Sequence, residues 1–130
     1  MWRRAADRKL EDRGLSHATA VPLVALSRLG DNIRQGAIAD YLALEGPSLV
    51  RIADIPASEG LIVRIADPAD RRAKLLSLTD AGRARVVEIE AILERLRCDL
   101  LSEEDERDME GAAALLIRLG ARLLANEPQA

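Results

Sequence analysis

The stretch AAALLIRLGARLL, residues 112–124, is apolar around most of the circumference of a helix, and that property limits the folds open to the chain. A helix without a polar face has to be covered on most of its sides. A chain of 130 residues builds one domain with one core, too little surface to do that covering alone. A second copy of the chain is therefore expected to supply the rest, making a homodimer. The helix pattern before it adds an apolar stripe of Val86, Ile89, Leu93, Leu96 and Leu100.

Upstream, the segments are shorter. Arg3 to Arg13 suits an amphipathic helix stopped by Gly14, and Ser16 is placed to cap a second helix carrying Ala20, Leu23, Val24 and Leu26 as far as Gly30. Pro22 inside it should kink it or shift its start. Ile33 reads as no more than an extended residue, and Arg34 to Leu44 as a short helix with Ile38, Ala39 and Leu42 on one face. In GPSLVRIADIP, Pro47 suits a first turn, and Leu49, Ile52, Ala53 and position 56 recur at i, i+3, i+4 and i+7. LIVRI, residues 61–65, is β-branched and strand-like, and AKLLSL returns after the charged tip ADPADRR as a second strand of a hairpin. Thr79 caps a long helix to about Leu101, and Ser102 with Asp105 gives a capping-box-like start to a last helix ending near Ala125.

Charge and chemistry narrow the function. The net charge of -3 offers no basic domain, only a basic cluster from Arg71 to Lys74. No apolar run approaches the ~18 to 20 residues of a membrane span, so no membrane partner is expected. The charged N-terminus points away from export, and a lone cysteine, Cys98, suits a reducing cytoplasm. One histidine, His17, one cysteine and no clustered metal-ligand spacing leave no base for a nucleophile and no zinc site. Neither an enzyme nor a bound cofactor or metal is expected.

Helix, helix, short helix, helix, hairpin and two long helices is the order of a winged helix-turn-helix. In WRRAADRKLEDRGLS, RQGAIADYLALEGPSLVRIAD, EGLIVR and DPADRRAKLLSLTDAGR the chain resembles the MarR family of bacterial transcription regulators over nearly its whole length. The most specific part is the wing signature, Asp70 and Arg72 spaced by one residue and followed by Leu78 and Thr79. The resemblance implies a mainly α fold with a small β-hairpin wing in a single domain over residues 1–130. The winged helix-turn-helix lobe would be residues 16–79, flanked by N- and C-terminal dimerisation helices in residues 1–15 and 80–125.

It also implies roles. The segment Pro47 to Ile55 would be the recognition helix in the major groove, with Ser48 reaching a base or phosphate and Arg51 a guanine edge, unless Arg51 merely pairs with Asp54. Gln35 opens the short helix, where free amides suit a phosphate or an ordinary cap. Arg71, Arg72 and Lys74 would carry the wing to the minor groove, one arginine facing DNA and the other, Arg72, tied to Asp70 or Asp54. Trp2, His17 and Ala20 are candidate contacts for a small aromatic or phenolic anionic ligand, although His17 also reads as plain surface and Trp2 as a dimer anchor. Cys98 is expected to pack in its helix. The implied function is a ligand-responsive repressor that binds a pseudo-palindromic double-stranded operator as a homodimer. Pro56 departs from the leucine usual in the family and predicts a recognition helix that ends or bends by Ile55, leaving a non-catalytic winged-helix interaction module as the alternative.

Overall fold

The structure, a computed structural model, describes residues 1–126. The elements in chain order are α1 (Trp2–Glu11), α2 (His17–Leu29), β1 (Ile33–Arg34), α3 (Gln35–Tyr41), α4 (Gly46–Ser58), β2 (Ile62–Ala66), β3 (Lys74–Leu78), α5 (Asp80–Leu101) and α6 (Glu106–Ala125). They divide into two compact units, the first running to Leu96 and the second beginning at Arg97.

In the first unit the apolar spacing of each helix becomes its buried face. α1 buries Ala6 and Leu10, and Gly14 at φ 70° turns the chain after it. Ser16 caps α2 by accepting from the Thr19 amide at 3.1 Å. Leu23 and Leu26 of α2, Ile38 of α3, Leu49 of α4, Leu76 of β3 and Ile89 of α5 are fully buried and meet in one core. α3 stops at Tyr41 rather than Leu44, because Ala43 takes a left-handed conformation, φ 52°, and the Leu44 amide returns to the Ala39 carbonyl at 2.9 Å.

Ile33 is more than an extended residue. With Arg34 it forms a third strand, and the antiparallel sheet has the order β1-β3-β2. Ile33 pairs with Leu76 and Arg34 with Leu75, while Ile62 to Ala66 pair with Leu78 to Lys74. A two-residue strand has no period to detect; the open edge of β3 makes it one.

Pro56 does not end its helix. α4 continues through it to Ser58. An interior proline costs ~3 kcal/mol of helix propensity, yet burying an apolar side chain of that size returns ~1.5–3 kcal/mol, and Pro56 is fully buried on the same face as Leu49 and Ala53. Beyond it the Glu59 amide still reaches the Ile55 carbonyl at 3.1 Å and the Leu61 amide the Pro56 carbonyl at 2.9 Å. Pro22 is tolerated in α2 in the same way, also fully buried.

In the second unit Ser102 is not the cap. Its hydroxyl donates to the Asp99 carbonyl at 3.0 Å, and Asp105 caps α6 by accepting from the Arg107 amide at 2.8 Å. No residue of α6 is buried within the protomer, and Leu116 is 67% exposed. Cys98 is exposed rather than packed, since it lies off the Val86–Ile89–Leu96 stripe that α5 buries.

The start of α5 is locked to the two residues that lead into β2. Thr79 donates from its hydroxyl to the Gly60 carbonyl at 2.6 Å and from its amide to the Leu61 carbonyl at 3.1 Å, and it accepts from the Gly82 amide at 3.0 Å. A Cβ on Gly82 would stand 2.0 Å from the Leu61 carbonyl oxygen, a backbone atom that cannot step aside. Gly82→Ala should therefore lower unfolding stability by about 2–3 kcal/mol in a denaturant titration. Gly36→Ala, where nothing lies within 4 Å of the added carbon, should be neutral or raise it by ~0.4–1 kcal/mol.

Candidate nucleic-acid interface

The burial of Leu49, Ala53 and Pro56 leaves Pro47, Ser48, Arg51 and Asp54 exposed on α4. Arg51 and Asp54 do not pair. Asp54 is taken by Arg64 of β2, whose Nη1 lies 2.6 Å from its Oδ1, while Nη2 donates to the Val50 carbonyl at 3.2 Å. One guanidinium thus holds the middle of α4 against the sheet, and Arg51 keeps its charge for the surface. Arg64 was missed in the sequence, although a signal was present: two residues after the buried Ile62, it is a cation on the inward face of a strand. Gln35 opens α3 half-buried, and the Arg34 side chain just before it makes no capping bond.

The hairpin tip is built from two successive Asx turns. Asp67 Oδ1 accepts from the Ala69 amide at 2.9 Å, and Asp70 Oδ1 from the Arg72 amide at 3.0 Å. Asp70 therefore orients Arg72 through its backbone and not through the expected ion pair with its guanidinium, and Asp54 does not hold it either. A carboxylate two residues before an arginine meets the amide at i+2 first. The base of the tip is closed by the Asp67 amide to the Ala73 carbonyl at 3.0 Å and the Asp70 amide to the Asp67 carbonyl at 3.2 Å. Arg71, Arg72 and Lys74 are all exposed, and among the described residues none of them forms an ion pair.

Asp67, only 6% exposed, is the one buried carboxylate among the described residues. Its Oδ2 lies 2.6 Å from Nη2 of Arg34. The Ala69 amide foremost, and then Arg34, hold its pKa below the ordinary carboxylate value against the opposing effect of burial. Away from the wing, Arg28 of α2 has its pKa held above the usual value by a hydrogen bond to Tyr41 of α3 first and then by Glu90 of α5, 3.5 Å away.

The candidate ligand residues lie on α1 and at the start of α2. Trp2 is exposed, and Ala20 is packed in the core. His17 is half-buried rather than plain surface; its amide donates to Asp7 at 3.2 Å, and its Nδ1 is buried with no hydrogen-bond partner. Among the described residues no helix is long and apolar enough to cross a membrane, and no group of three or more His, Cys, Asp or Glu side chains is placed to hold a metal ion.

The geometry is shared with solved structures. Transcriptional regulator PA3341 is 37% identical over 96% of this chain and 91% of its own, with a TM-score of 0.80. A MarR transcriptional regulator from Methanosarcina mazei Go1 has the same fold at 23% identity, covering 93% of this chain and 88% of that one, with a TM-score of 0.79. MepR of S. aureus, in a complex with DNA, is 26% identical over 93% of this chain and 89% of its own, TM-score 0.79. No protein-family model matches the chain.

The depressed pKa of Asp67 fixes the sign of its pH effect. Its stabilising contribution is complete above the unfolded-state value, roughly pH 4, and is lost as pH falls through the lower folded-state value. In a carboxyl-carbon NMR titration Asp67 should titrate below the exposed aspartates. Asp67→Asn should be less stable than wild type at neutral pH, with the difference shrinking on acidification below about pH 4.

Proposed function

The chain belongs to the MarR family of transcriptional regulators, and on that premise we propose that it is a homodimeric, ligand-responsive repressor that binds a pseudo-palindromic operator in double-stranded DNA. The observation that carries the DNA-binding part is the pairing pattern. In a chain of net charge -3, the wing-tip cations Arg71, Arg72 and Lys74 and the α4 cation Arg51 are exposed and outside every ion pair among the described residues. Pro47 and Ser48 stand with Arg51 toward the N-terminal half of α4, the part of a recognition helix that meets base edges. Gln35 adds a polar contact at the start of α3. Asp54 and Asp70 orient these groups, the first through Arg64 and the second through the Arg72 amide. That MepR has been captured on DNA supports the same use of this fold.

The dimer follows from α6, whose Leu115, Leu116, Ile117, Leu119, Leu123 and Leu124 are all exposed within the protomer. Obligate dimer interfaces bury ~2,000 Å² or more and are core-like, and an apolar row of this length suits one. In this reading residues 16–79 bind DNA, and residues 1–15 and 80–125 join the protomers. The effector is a small aromatic or phenolic anion in contact with Trp2, His17 and Ala20. It acts by preferring one spacing of the wings over another. No catalytic step or cofactor is involved, and the working compartment is the cytoplasm.

A gel shift against the DNA upstream of its own gene tests the reading. Wild type should bind half-sites about 10 base pairs apart, centre to centre. Arg71→Ala should weaken binding to every sequence, most where the site is A·T-rich, and reduce the salt slope by about one per wing contact, two per dimer, with little change in thermal stability. Equal, salt-independent affinities for wild type and variant would move the assignment to a protein-interaction module.

Sedimentation should show a dimer at micromolar concentration, and Leu116→Asp should give poorly folded or aggregated chain. A well-folded wild-type monomer at that concentration would refute the dimer.

A further inference from the structure

Arg34 occupies the N-cap of α3, a position that favours Ser, Thr, Asp or Asn because a short side chain there accepts a helix amide. Arginine cannot accept, and no side-chain capping bond is made. The side chain instead crosses over β3, from β1 to the end of β2, and brings Nη2 to 2.6 Å from Asp67 Oδ2. Strands are about 4.8 Å apart, so only a long cation spans that gap. At its far end Asp67 is almost fully buried and uses every polar group it has: both carboxylate oxygens, its amide and its carbonyl, all but one of these bonds closing the loop of residues 67–73.

A carboxylate so placed recruits a cation if none is supplied, because a buried charge without a partner is strongly unfavourable. Arg64, three residues back, is already held by Asp54; the next cations in sequence are Arg71, Arg72 and Lys74, four, five and seven residues on. We propose that Arg34 is a wing-positioning residue: by satisfying Asp67 from a different strand, it leaves the wing-tip guanidinium groups extended for DNA instead of folded back onto their own loop. The inference rests on the DNA-binding reading above and assigns Arg34 no contact with DNA. Asp67 is then the wing's internal competitor for its own arginines, and Arg34 keeps it neutralised.

Two measurements test this. Arg34→Gln should weaken operator binding about tenfold and lower the salt slope by about one per protomer, as a wing cation leaves the phosphates. The double variant Arg34→Gln/Asp67→Asn should recover most of the affinity and slope, since the competitor is gone while an asparagine oxygen can still accept from the Ala69 amide. A double variant as weak as Arg34→Gln would overturn the proposal and make Arg34 a direct phosphate contact. The second measurement uses no DNA: in the NMR spectrum of arginine side chains, Arg34→Gln should shift the Nε–H signal of Arg71 or Arg72 and slow its exchange with water, and the double variant should reverse this. Unchanged wing-tip signals in Arg34→Gln would also overturn it. If wild type binds no DNA yet these signals shift, the DNA-binding reading fails and the competition for Asp67 stands.

Discussion

β3 is paired on both edges, and the strand leading into α3, the hairpin and the start of α5 are all fixed by it. Leu76, at its centre, is fully buried against the helices. On one edge, the pairing of Ile33 with Leu76 and of Arg34 with Leu75 sets where α3 begins. On the other edge β2 brings Leu61 and Ile62 into the core directly after α4, and Arg64 reaches back to Asp54 and the Val50 carbonyl. The strand then runs into Thr79, whose three hydrogen bonds fasten α5 to residues 60 and 61. Helix-turn-helix, wing and the start of α5 therefore share one strand. A displacement of the wing base is felt at α3 and α4, because packed sheets transmit strain instead of absorbing it.

Net charge gives a poor account of such a surface. Between Asp31 and Thr79 the anions slightly outnumber the cations, which by itself speaks against a phosphate backbone. The structure does not change that balance, since each pair uses one cation for one anion, but it leaves Arg51, Arg71, Arg72 and Lys74, on α4 and at the wing, outside every ion pair among the described residues. Asp54 is held by Arg64, Asp67 by Arg34 and the Ala69 amide, and Asp70 by the Arg72 amide. Of the three, Asp67 is the one that is buried, accepts an amide and is paired with an arginine, and its charge is the most fully neutralised. In the proposed reading, it is the unpaired cations, and not the net charge, that meet the phosphates.

The second unit obeys a different constraint. No residue of α6 is buried within its own protomer, although its sequence is among the most apolar in the chain. Its helical state follows from composition and from the Asp105 cap. In the proposed dimer another chain covers that surface, as for any helix whose apolar surface exceeds what its own domain can cover.

Element types and their faces were legible in the sequence because they rest on local physics. Leu49, Ile52, Ala53 and position 56 gave the inward face of α4, Ser16 its cap to α2, and the β-branched run before a charged tip gave the hairpin. What could not be read locally was decided by contacts between residues far apart in the chain. Pro56 carries a local rule against helix that the core overrode by burying its ring. Ile33 and Arg34 became a strand only because β3 had a free edge. The wing carboxylates invited ion pairing with their neighbours Arg71 and Arg72, yet local backbone amides claimed one oxygen of each, and Arg34, more than thirty residues upstream, claimed the other oxygen of Asp67. Periodicity and capping are properties of a segment and survive in a one-dimensional string, whereas the choice among several possible partners for a charge depends on distance in the folded chain, which only the tertiary structure supplies.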